Sequence, residues 1–262
     1  MTSESILLIG RDTRNAREVL GTHADRLDRR AVVDDVEVVT YESEPTRELR
    51  GALERISADT VYAVPMCVAP THDTIHGVPA ALSSVPGDVR YCEPLGRSPA
   101  VTDVIAERGT ELVPASDDAS LVLVGTGSSS KPYYRRTADY HAARLREQSG
   151  YGEVLTCYLL QNPAVECVRY NVTKGRSVAV PLFLTRTEAT EGRIPDELEL
   201  ARGGIEYADP FGEHPRITDA VHAEVERQRI LTLDATPSAT PFEARLSPTR
   251  RPAPTDGEGV QR

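Results

Sequence analysis

The chain has 262 residues, carries a net charge of −10 and contains only two lysines among its 30 basic residues. No run of basic residues offers a footprint for phosphates, so a nucleic-acid partner is not expected. The acidic balance is typical of a salt-adapted protein, whose hydrated surface stays soluble when salt screens charge. No apolar stretch approaches the roughly 20 residues that span a bilayer, and no signal peptide is recognised. We therefore expect a cytoplasmic protein with no membrane partner.

The first half of the chain alternates apolar runs with segments of helical spacing. The run at 5–10 is apolar throughout and ends in Gly10, which is typical of a strand buried in a parallel sheet. We predict strands at 5–10, 36–41, 60–65 and 88–92, and helices at 14–30, 46–56, 78–82 and 99–108. This alternation indicates an α/β domain over 1–108, in which helices flank a four-stranded parallel sheet.

The same order of elements returns after a linker at 109–119. We predict strands at 121–125, 153–160, 177–181 and 205–207, and helices at 135–148, 163–170, 194–200 and 217–228. A second, similar α/β domain therefore covers 120–232. The last segment, 233–262, is rich in Pro, Ser, Thr, Arg and Gly, and we predict a disordered C-terminal tail there.

A repeated motif links the two halves. The sequence E-P-L-G, followed by V-T-D, recurs as D-P-F-G followed by I-T-D, and the two copies begin at Glu93 and Asp209, 116 positions apart. Pro65 and Pro79 recur as prolines at the same spacing. This period exceeds the roughly 20–50 residues of solenoid repeats, so it predicts two copies of one small domain. Two such domains can enclose a cleft that binds a ligand.

Three features recur in order in each half and carry a resemblance to a known family. They are a strand ending in a glycine turn at 8–14 and 123–128, a V-P strand with its loop and second proline at 64–79 and 180–195, and a Pro-x-Gly turn at 94–99 and 210–215. Together, over about residues 5–230, they resemble the sirohydrochlorin cobaltochelatase family, which is related in fold to ferrochelatase.

The resemblance implies a function. In that family two such domains, fused or dimerised, enclose a tetrapyrrole, and a divalent metal ion replaces two pyrrole N–H protons. Cobalt is implied first, with nickel or iron as alternatives, and no organic cofactor is implied. Because both domains belong to one chain here, we expect a monomer whose partners are the tetrapyrrole and the metal ion.

His72 and His76 are the first candidate metal ligands. Both lie in the loop before the helix at 78–82, and their i, i+4 spacing places them on one face if the loop is helical. The family carries a metal-binding histidine in this loop, and His72 stands one position before it when counted from Pro65. Imidazole binds borderline metals and titrates near neutral pH, so the resemblance implies that His72 or His76 binds metal and accepts a proton. Two incidental histidines in a surface loop are the alternative.

Glu188 and Glu191 occupy the equivalent loop of the second half. Glu188 matches His72 at the spacing of 116 residues. We expect Glu188 or Glu191 to face the histidines across the cleft and to assist metal delivery and proton removal. Two surface glutamates in an acidic protein are the alternative.

The family's other histidine is replaced in both halves, by Arg11 and by Thr126. Arg11 can instead hold a substrate carboxylate or pair with a local acid. Gly125, Gly127 and Ser128 belong to a turn between a strand and a helix, whose backbone N–H groups can bind a carboxylate. A flexible turn without a ligand is the alternative there.

Three functional hypotheses follow. We favour a chelatase that inserts cobalt into sirohydrochlorin or a close relative. The replaced histidine supports an alternative, a catalytically degenerate paralogue that binds or carries a tetrapyrrole or metal without inserting it. A periplasmic-type two-domain binder of sugars or ions ranks third. His23, His141 and His222 have helical spacing, and we expect all three on the surface.

Overall fold

Two four-stranded parallel sheets frame the protein in the computed structural model, which describes residues 2–233. The strands are β1 (Glu4–Arg11), β2 (Asp35–Tyr41), β3 (Thr60–Pro65), β4 (Asp88–Tyr91), β5 (Ala119–Gly125), β6 (Glu153–Tyr158), β7 (Arg176–Pro181) and β8 (Glu206–Tyr207). They lie in the order β2-β1-β3-β4 in the first sheet and β6-β5-β7-β8 in the second. The order reverses between β1 and β3 and again between β5 and β7, and the carboxyl ends at such a point are where α/β proteins bind ligands.

The helices cover both sheets and confirm the predicted fold class. They are α1 (Ala16–Arg29), α2 (Pro45–Glu48), α3 (Arg50–Leu53), α4 (Val78–Leu82), α5 (Pro99–Leu112), α6 (Tyr133–Gln148), α7 (Val168–Asn171), α8 (Ile194–Glu197) and α9 (Pro215–Leu233). Two π-helical turns, Asp73–Gly77 and Ala189–Arg193, precede α4 and α8 at equivalent places in the two halves. None of the helices in the described part is long and apolar enough to cross a membrane.

Several element boundaries differ from the prediction. The helix predicted at 46–56 consists of two short helices, α2 and α3, which meet at Leu49. Helix α5 continues to Leu112, because Gly109 packs against Leu121 of β5 and does not end the helix. Helix α9 extends to Leu233, and the rest of the tail predicted at 233–262 lies outside the described residues.

One hydrophobic core joins the two halves. It contains buried side chains of the facing helices, such as Leu20 of α1, Ile105 of α5, Ala142 of α6 and Val225 of α9. Two smaller cores lie on the other faces of the sheets, one in each half. Because the central core is built from both halves, packing fixes the distance across the cleft at the carboxyl ends of the strands.

Two buried histidines fasten the halves reciprocally. His23 of α1 contacts the second half, with Nδ1 2.9 Å from the Thr218 hydroxyl and Nε2 3.0 Å from the Gly212 carbonyl. His23 and His141 are both fully buried, so the prediction that they lie on the surface was wrong. The other half of the molecule covers the helix face that carries each imidazole. The spacing of residues within one helix cannot show such a contact.

His141 of α6 makes the mirror-image contacts with the first half. Its Nδ1 lies 2.8 Å from the Thr102 hydroxyl, and its Nε2 lies 2.6 Å from the Gly96 carbonyl. A carbonyl only accepts, so Nε2 carries the proton in both histidines and Nδ1 accepts from threonine. The glycines and threonines of the repeated motif therefore form the docking site for the other half's histidine.

Candidate functional site

A cavity of about 270 Å³ lies between the two halves, at the carboxyl ends of the central strands. We call it the inner cavity. Its polar lining residues include Arg11, Tyr41, Cys67, Asp73, Thr126 and Tyr134. Arg11 and Thr126, the two residues that replace the family's histidine, thus line one cavity from opposite halves. This convergence follows from the parallel sheets, since β1 and β5 both end there.

The two halves give this cavity unlike walls. Leu182, Phe183 and Leu184 follow β7 and form an apolar wall from the second half. The equivalent positions of the first half are Met66, Cys67 and Val68, and the ionisable side chains among the lining residues come from the first half, apart from Tyr134 of α6. One wall therefore suits the face of a flat apolar ring, and the other suits proton or metal chemistry.

Burial keeps several of these groups protonated at neutral pH. It raises the pKa of Tyr134 to about 12, and nearby Cys67 and Asp73 reinforce the rise against a hydrogen bond with Thr126. Burial also raises the pKa of Cys67 to about 12, although a hydrogen bond with Thr74 lowers it. The Cys67 side chain lines the cavity, but as a thiol it is a weak metal ligand.

The histidine candidates stand outside the inner cavity. His72 and His76 are both exposed, and their ring centroids lie 4.9 Å apart. The π-helical turn at Asp73–Gly77 brings the two rings together, as the i, i+4 spacing predicts for a helical loop. Thr71 and Asp73, the chain neighbours of His72, line the cavity, so the histidine pair lies beside it.

The glutamate candidates do not join the histidines in one cluster. Glu188 is exposed and absent from the lining of the inner cavity. Glu191 binds Arg14 through a salt bridge of 2.7 Å and lines a different cavity. Within residues 2–233 no group of three or more His, Cys, Asp or Glu side chains is arranged to hold a metal ion. The predicted four-residue ligand set is therefore not assembled in this conformation.

A larger cavity of about 640 Å³, the outer cavity, adjoins the inner one. Thr13 and Thr185 line the inner cavity, and Arg14 and Arg186, the next residues along each chain segment, line the outer one. A hydrogen bond of 2.9 Å between the hydroxyls of Thr13 and Thr185 closes the contact between the halves. The outer cavity thus places guanidinium groups close to the inner cavity, where they can hold carboxylates.

The turn that contains Gly125, Gly127 and Ser128 has its backbone donors in use. The Ser128 N–H donates to Gln161 Oε1 at 3.0 Å, and the N–H groups of Ser130 and Lys131 donate to Ser128 Oγ at 3.3 and 3.1 Å. Three donors of the turn are therefore satisfied within the protein, and an anion would have to displace these bonds. Arg11 is exposed, and its Nε donates to the Glu42 carbonyl at 3.0 Å, which leaves other guanidinium N–H groups for a carboxylate.

The two loops that carry the candidates share one internal framework. In the first, the Thr71 N–H donates to Thr74 Oγ1 at 2.8 Å, and in the second, the Thr187 N–H donates to Thr190 Oγ1 at the same distance. The duplication has kept this scaffold while the exposed side chains have diverged. The sequence of the loops indicated the histidines and glutamates, because these residue types can bind metals and accept protons. Nothing in the sequence indicated Tyr134, which reaches the cavity from the first turn of α6, or Asp73 as a residue that lines the cavity.

Two like α/β domains with a cleft at the carboxyl ends of their strands define a bilobal protein whose site is shared by both lobes. The family model CbiX matches residues 5–112 and, a second time, residues 120–228. The chain therefore belongs to the CbiX family, and each half carries one copy of the family's domain.

Individual relatives agree with this assignment. A probable sirohydrochlorin cobaltochelatase of Halobacterium salinarum is 24% identical over 224 residues, which are 74% of this chain and 76% of the relative. A sirohydrochlorin ferrochelatase of Priestia megaterium is 31% identical over 108 residues, or 39% of this chain and 40% of that protein. The structure of SirB from Bacillus subtilis with Fe3+ has a TM-score of 0.74 at 20% identity, covering 88% of this chain and 97% of SirB, which shows a common fold.

Proposed function

We propose that the protein inserts a divalent metal ion into sirohydrochlorin or a close relative of that tetrapyrrole. The observation that carries the proposal is the inner cavity, where an apolar wall from one domain faces ionisable side chains from the other. A flat macrocycle can rest on Leu182, Phe183 and Leu184 while its central nitrogens face the polar wall. Membership of the CbiX family and the names of the relatives support the same reaction.

The volume of the inner cavity implies that the substrate extends from the inner cavity into the outer one. At about 270 Å³ the inner cavity is below the roughly 300–1,000 Å³ typical of small-molecule sites, so part of the macrocycle must extend out of it. Sirohydrochlorin carries many carboxylates on its rim. Arg11 can hold one of them inside, and Arg14 and Arg186 can hold others in the outer cavity. The turn at Gly125, Gly127 and Ser128 is a further carboxylate site if its internal bonds open.

The paired histidines are the proposed site of metal capture. His72 and His76 lie together beside the inner cavity, and two imidazoles suit a borderline ion such as cobalt(II). Glu188 and Glu191 would assist from the second half after rearrangement, since Glu191 is held by Arg14. Cobalt is the proposed metal because the relative that aligns along most of this chain is named for it, and the ferrochelatase relative makes iron the first alternative.

A second function, carriage of the tetrapyrrole without insertion, is favoured by two observations. The described part of the chain holds no cluster of three potential ligands, and both positions of the replaced histidine lack an imidazole. A carrier would use the same cavity and the same arginines. The two functions differ only in turnover.

An anaerobic assay separates them. Purified protein at high salt is mixed with sirohydrochlorin and Co²⁺, Ni²⁺ or Fe²⁺ in turn, and the absorbance of the free macrocycle is followed against a reaction without protein. The proposed function requires faster disappearance with at least one metal, cobalt first. Binding of sirohydrochlorin with no acceleration by any of the three metals would establish the carrier and exclude the chelatase.

A further inference from the structure

Tyr134 brings a phenol into the inner cavity from the second half of the chain. It lies in the first turn of α6 and lines the cavity together with Thr126 of the same half. Aligning the buried histidines His141 and His23 places Ala16 at the equivalent position of α1, so the first half has only a methyl group there. The phenol is therefore a polar group that one half of the duplicated chain contributes and the other half does not.

Arg11 faces Tyr134 from the first half. It ends β1 and pairs in register with Tyr41, the last residue of β2, which also lines the cavity. The charge of Arg11 acts on the hydroxyls of both Tyr41 and Tyr134, which places the guanidinium close to both phenols. Donors from the two halves thus surround the same part of the inner cavity.

These donors are not used by the protein itself. Arg11 donates its Nε to the Glu42 carbonyl at 3.0 Å, and within residues 2–233 its terminal N–H groups donate to no protein group. In the same part of the chain the Tyr134 hydroxyl donates to no carbonyl or carboxylate, Asp73 included. Burial raises the pKa of Tyr134 to about 12, so the hydroxyl keeps its proton at neutral pH. A cavity that presents unused donors is arranged for an acceptor on a ligand.

The charges of the lining favour a ligand that is anionic at this point. Among the described residues that line the cavity, Arg11 carries the single positive charge and Asp73 the single negative charge, so a free guanidinium is not outnumbered by acids. A carboxylate that leaves water needs several hydrogen bonds to offset its lost hydration. Arg11 and Tyr134 together supply them, and a neutral acceptor such as an ester gains less from a guanidinium than a carboxylate does.

We propose that Tyr134 is a specificity-determining residue that, together with Arg11, binds a carboxylate of the tetrapyrrole, an assignment that rests on the function proposed above and deepens it. The two side chains hold the same carboxylate from opposite halves, one as a neutral phenol and the other as a guanidinium. This pair selects a macrocycle with free acid side chains and fixes how the ring is turned on the apolar wall. Because neither half carries both donors, recognition depends on the approach of the two halves.

Tyr134→Phe tests the proposal, because it keeps the ring and removes the hydroxyl. In absorbance titrations without metal, we expect the Kd for sirohydrochlorin to rise about tenfold, as for the loss of one hydrogen bond to a charged group. For sirohydrochlorin whose carboxylates are methyl esters, the Kd should change by less than about threefold, since a neutral ester accepts a weaker bond. Tyr170→Phe, at an exposed tyrosine of α7, is the matched control and should bind both ligands like wild type.

A double variant tests whether the two side chains hold one carboxylate. Arg11→Gln alone should also raise the Kd for sirohydrochlorin about tenfold. Combined with Tyr134→Phe, it should raise the Kd by no more than about 30-fold, below the roughly 100-fold of independent sites, because residues that share a partner are coupled. Melting curves at the same salt concentration identify any variant whose fold has changed.

The outcomes separate this assignment from the proposed function. An unchanged Kd for sirohydrochlorin in Tyr134→Phe would overturn it. An equal loss for the free acid and the methyl ester would also overturn it, since the hydroxyl would then serve the shape of the cavity and not a carboxylate. Fully multiplicative effects in the double variant would exclude a shared carboxylate. A wild-type protein without insertion activity would remove the proposed function, and the Kd values would still decide the role of Tyr134.

Discussion

His72 and His76 lie on the surface beside the inner cavity, a position from which a side chain meets a metal ion before the macrocycle does. Their rings are 4.9 Å apart, close enough for both to contact one ion after small rotations. Asp73, one position along, lines the cavity itself. At the scale of residues, the loop therefore presents two imidazoles at the surface and one carboxylate to the inner cavity.

Replacing both histidines should affect metal use more than the chemical step. For His72→Ala/His76→Ala we expect the cobalt concentration at half-maximal rate to rise by about tenfold, the cost of roughly 1.4 kcal/mol of lost binding. The maximal rate should change by less than about threefold. Initial rates over a cobalt titration measure both, with His222→Ala on α9 as a control histidine. A collapse of the maximal rate with an unchanged cobalt requirement would contradict metal capture by this pair.

The repeated Pro-x-Gly turn is the element that holds the halves together, and its two glycines are required for different reasons. A Cβ on Gly96 would lie 1.5 Å from the Val68 carbonyl oxygen, so no side chain fits. A Cβ on Gly212 would meet only the Pro210 carbonyl oxygen, in an ordinary contact of 3.7 Å, but the φ of +55° at this position disfavours other residues. Both carbonyls accept from a buried histidine of the other half. The two copies of the turn thus share a glycine, which is required by a close contact in the first copy and by the left-handed backbone in the second.

The two turns should respond unequally to alanine. Gly96→Ala must displace backbone that also accepts from His141, so we expect it to lower the free energy of unfolding by about 3 kcal/mol. Gly212→Ala introduces only the strain of a left-handed backbone at a residue with a Cβ, so we expect it to lower the free energy of unfolding by about 1 kcal/mol. Denaturant titrations at pH 7 measure both values. A Gly96→Ala protein as stable as Gly212→Ala would refute the close contact with Val68.

The buried histidine contacts also predict a pH dependence. Burial lowers the pKa of His23 and of His141 from 6.5 to about 4, despite the bonds to the Gly212 and Gly96 carbonyls, and the charges of Arg26 and Arg144 lower them further. Below pH 6.5 the unfolded chain binds protons on these imidazoles and the folded chain does not. Folding stability therefore falls as the pH drops from about 6.5 to 4, by roughly 2 kcal/mol per histidine at pH 4.5.

Glutamine variants isolate this effect. A His23→Gln/His141→Gln protein keeps amide donors and acceptors at both sites but cannot titrate there, so its stability should fall less steeply between pH 7 and 4.5. Melting curves of both proteins over this range give the comparison, and titration of the carboxylates, common to both, cancels. Parallel pH profiles would show that the imidazoles do not remain neutral in the fold.

The whole molecule is a duplicated domain closed on itself. The central core and both histidine contacts join the halves, and the inner cavity takes lining residues from each. An isolated half would expose that core and lack one wall of the cavity. Duplication within one chain therefore supplies what two separate domains would have to supply by association.

We expect a monomer from this architecture. Light scattering coupled to gel filtration at high salt should give the mass of one 262-residue chain, independent of protein concentration. A stable dimer would contradict this expectation. It would indicate that a further surface of the protein is buried between two chains in solution.

The frame of the molecule could be predicted from the sequence, and the interior of the site could not. Apolar runs and the 116-residue spacing indicate the parallel sheets and the duplication, because both depend on local pattern. The placement of His23 against Gly212, or of Tyr134 near Asp73, depends on how the halves approach each other. Local pattern carries no record of that approach, so His23 was expected on the surface. The histidine candidates were found by residue type, whereas Asp73 is distinguished by the cavity it lines.

The most direct test of the account is an experimental structure of the protein with cobalt-sirohydrochlorin bound. The macrocycle is predicted to lie between the halves, with one face on Leu182, Phe183 and Leu184, its central nitrogens turned towards the first-half wall of the inner cavity, and carboxylates near Arg11, Arg14 or Arg186. A macrocycle bound outside the inner cavity, or bound with its centre turned away from the first-half wall, would contradict a shared site in which the first half carries the chemistry.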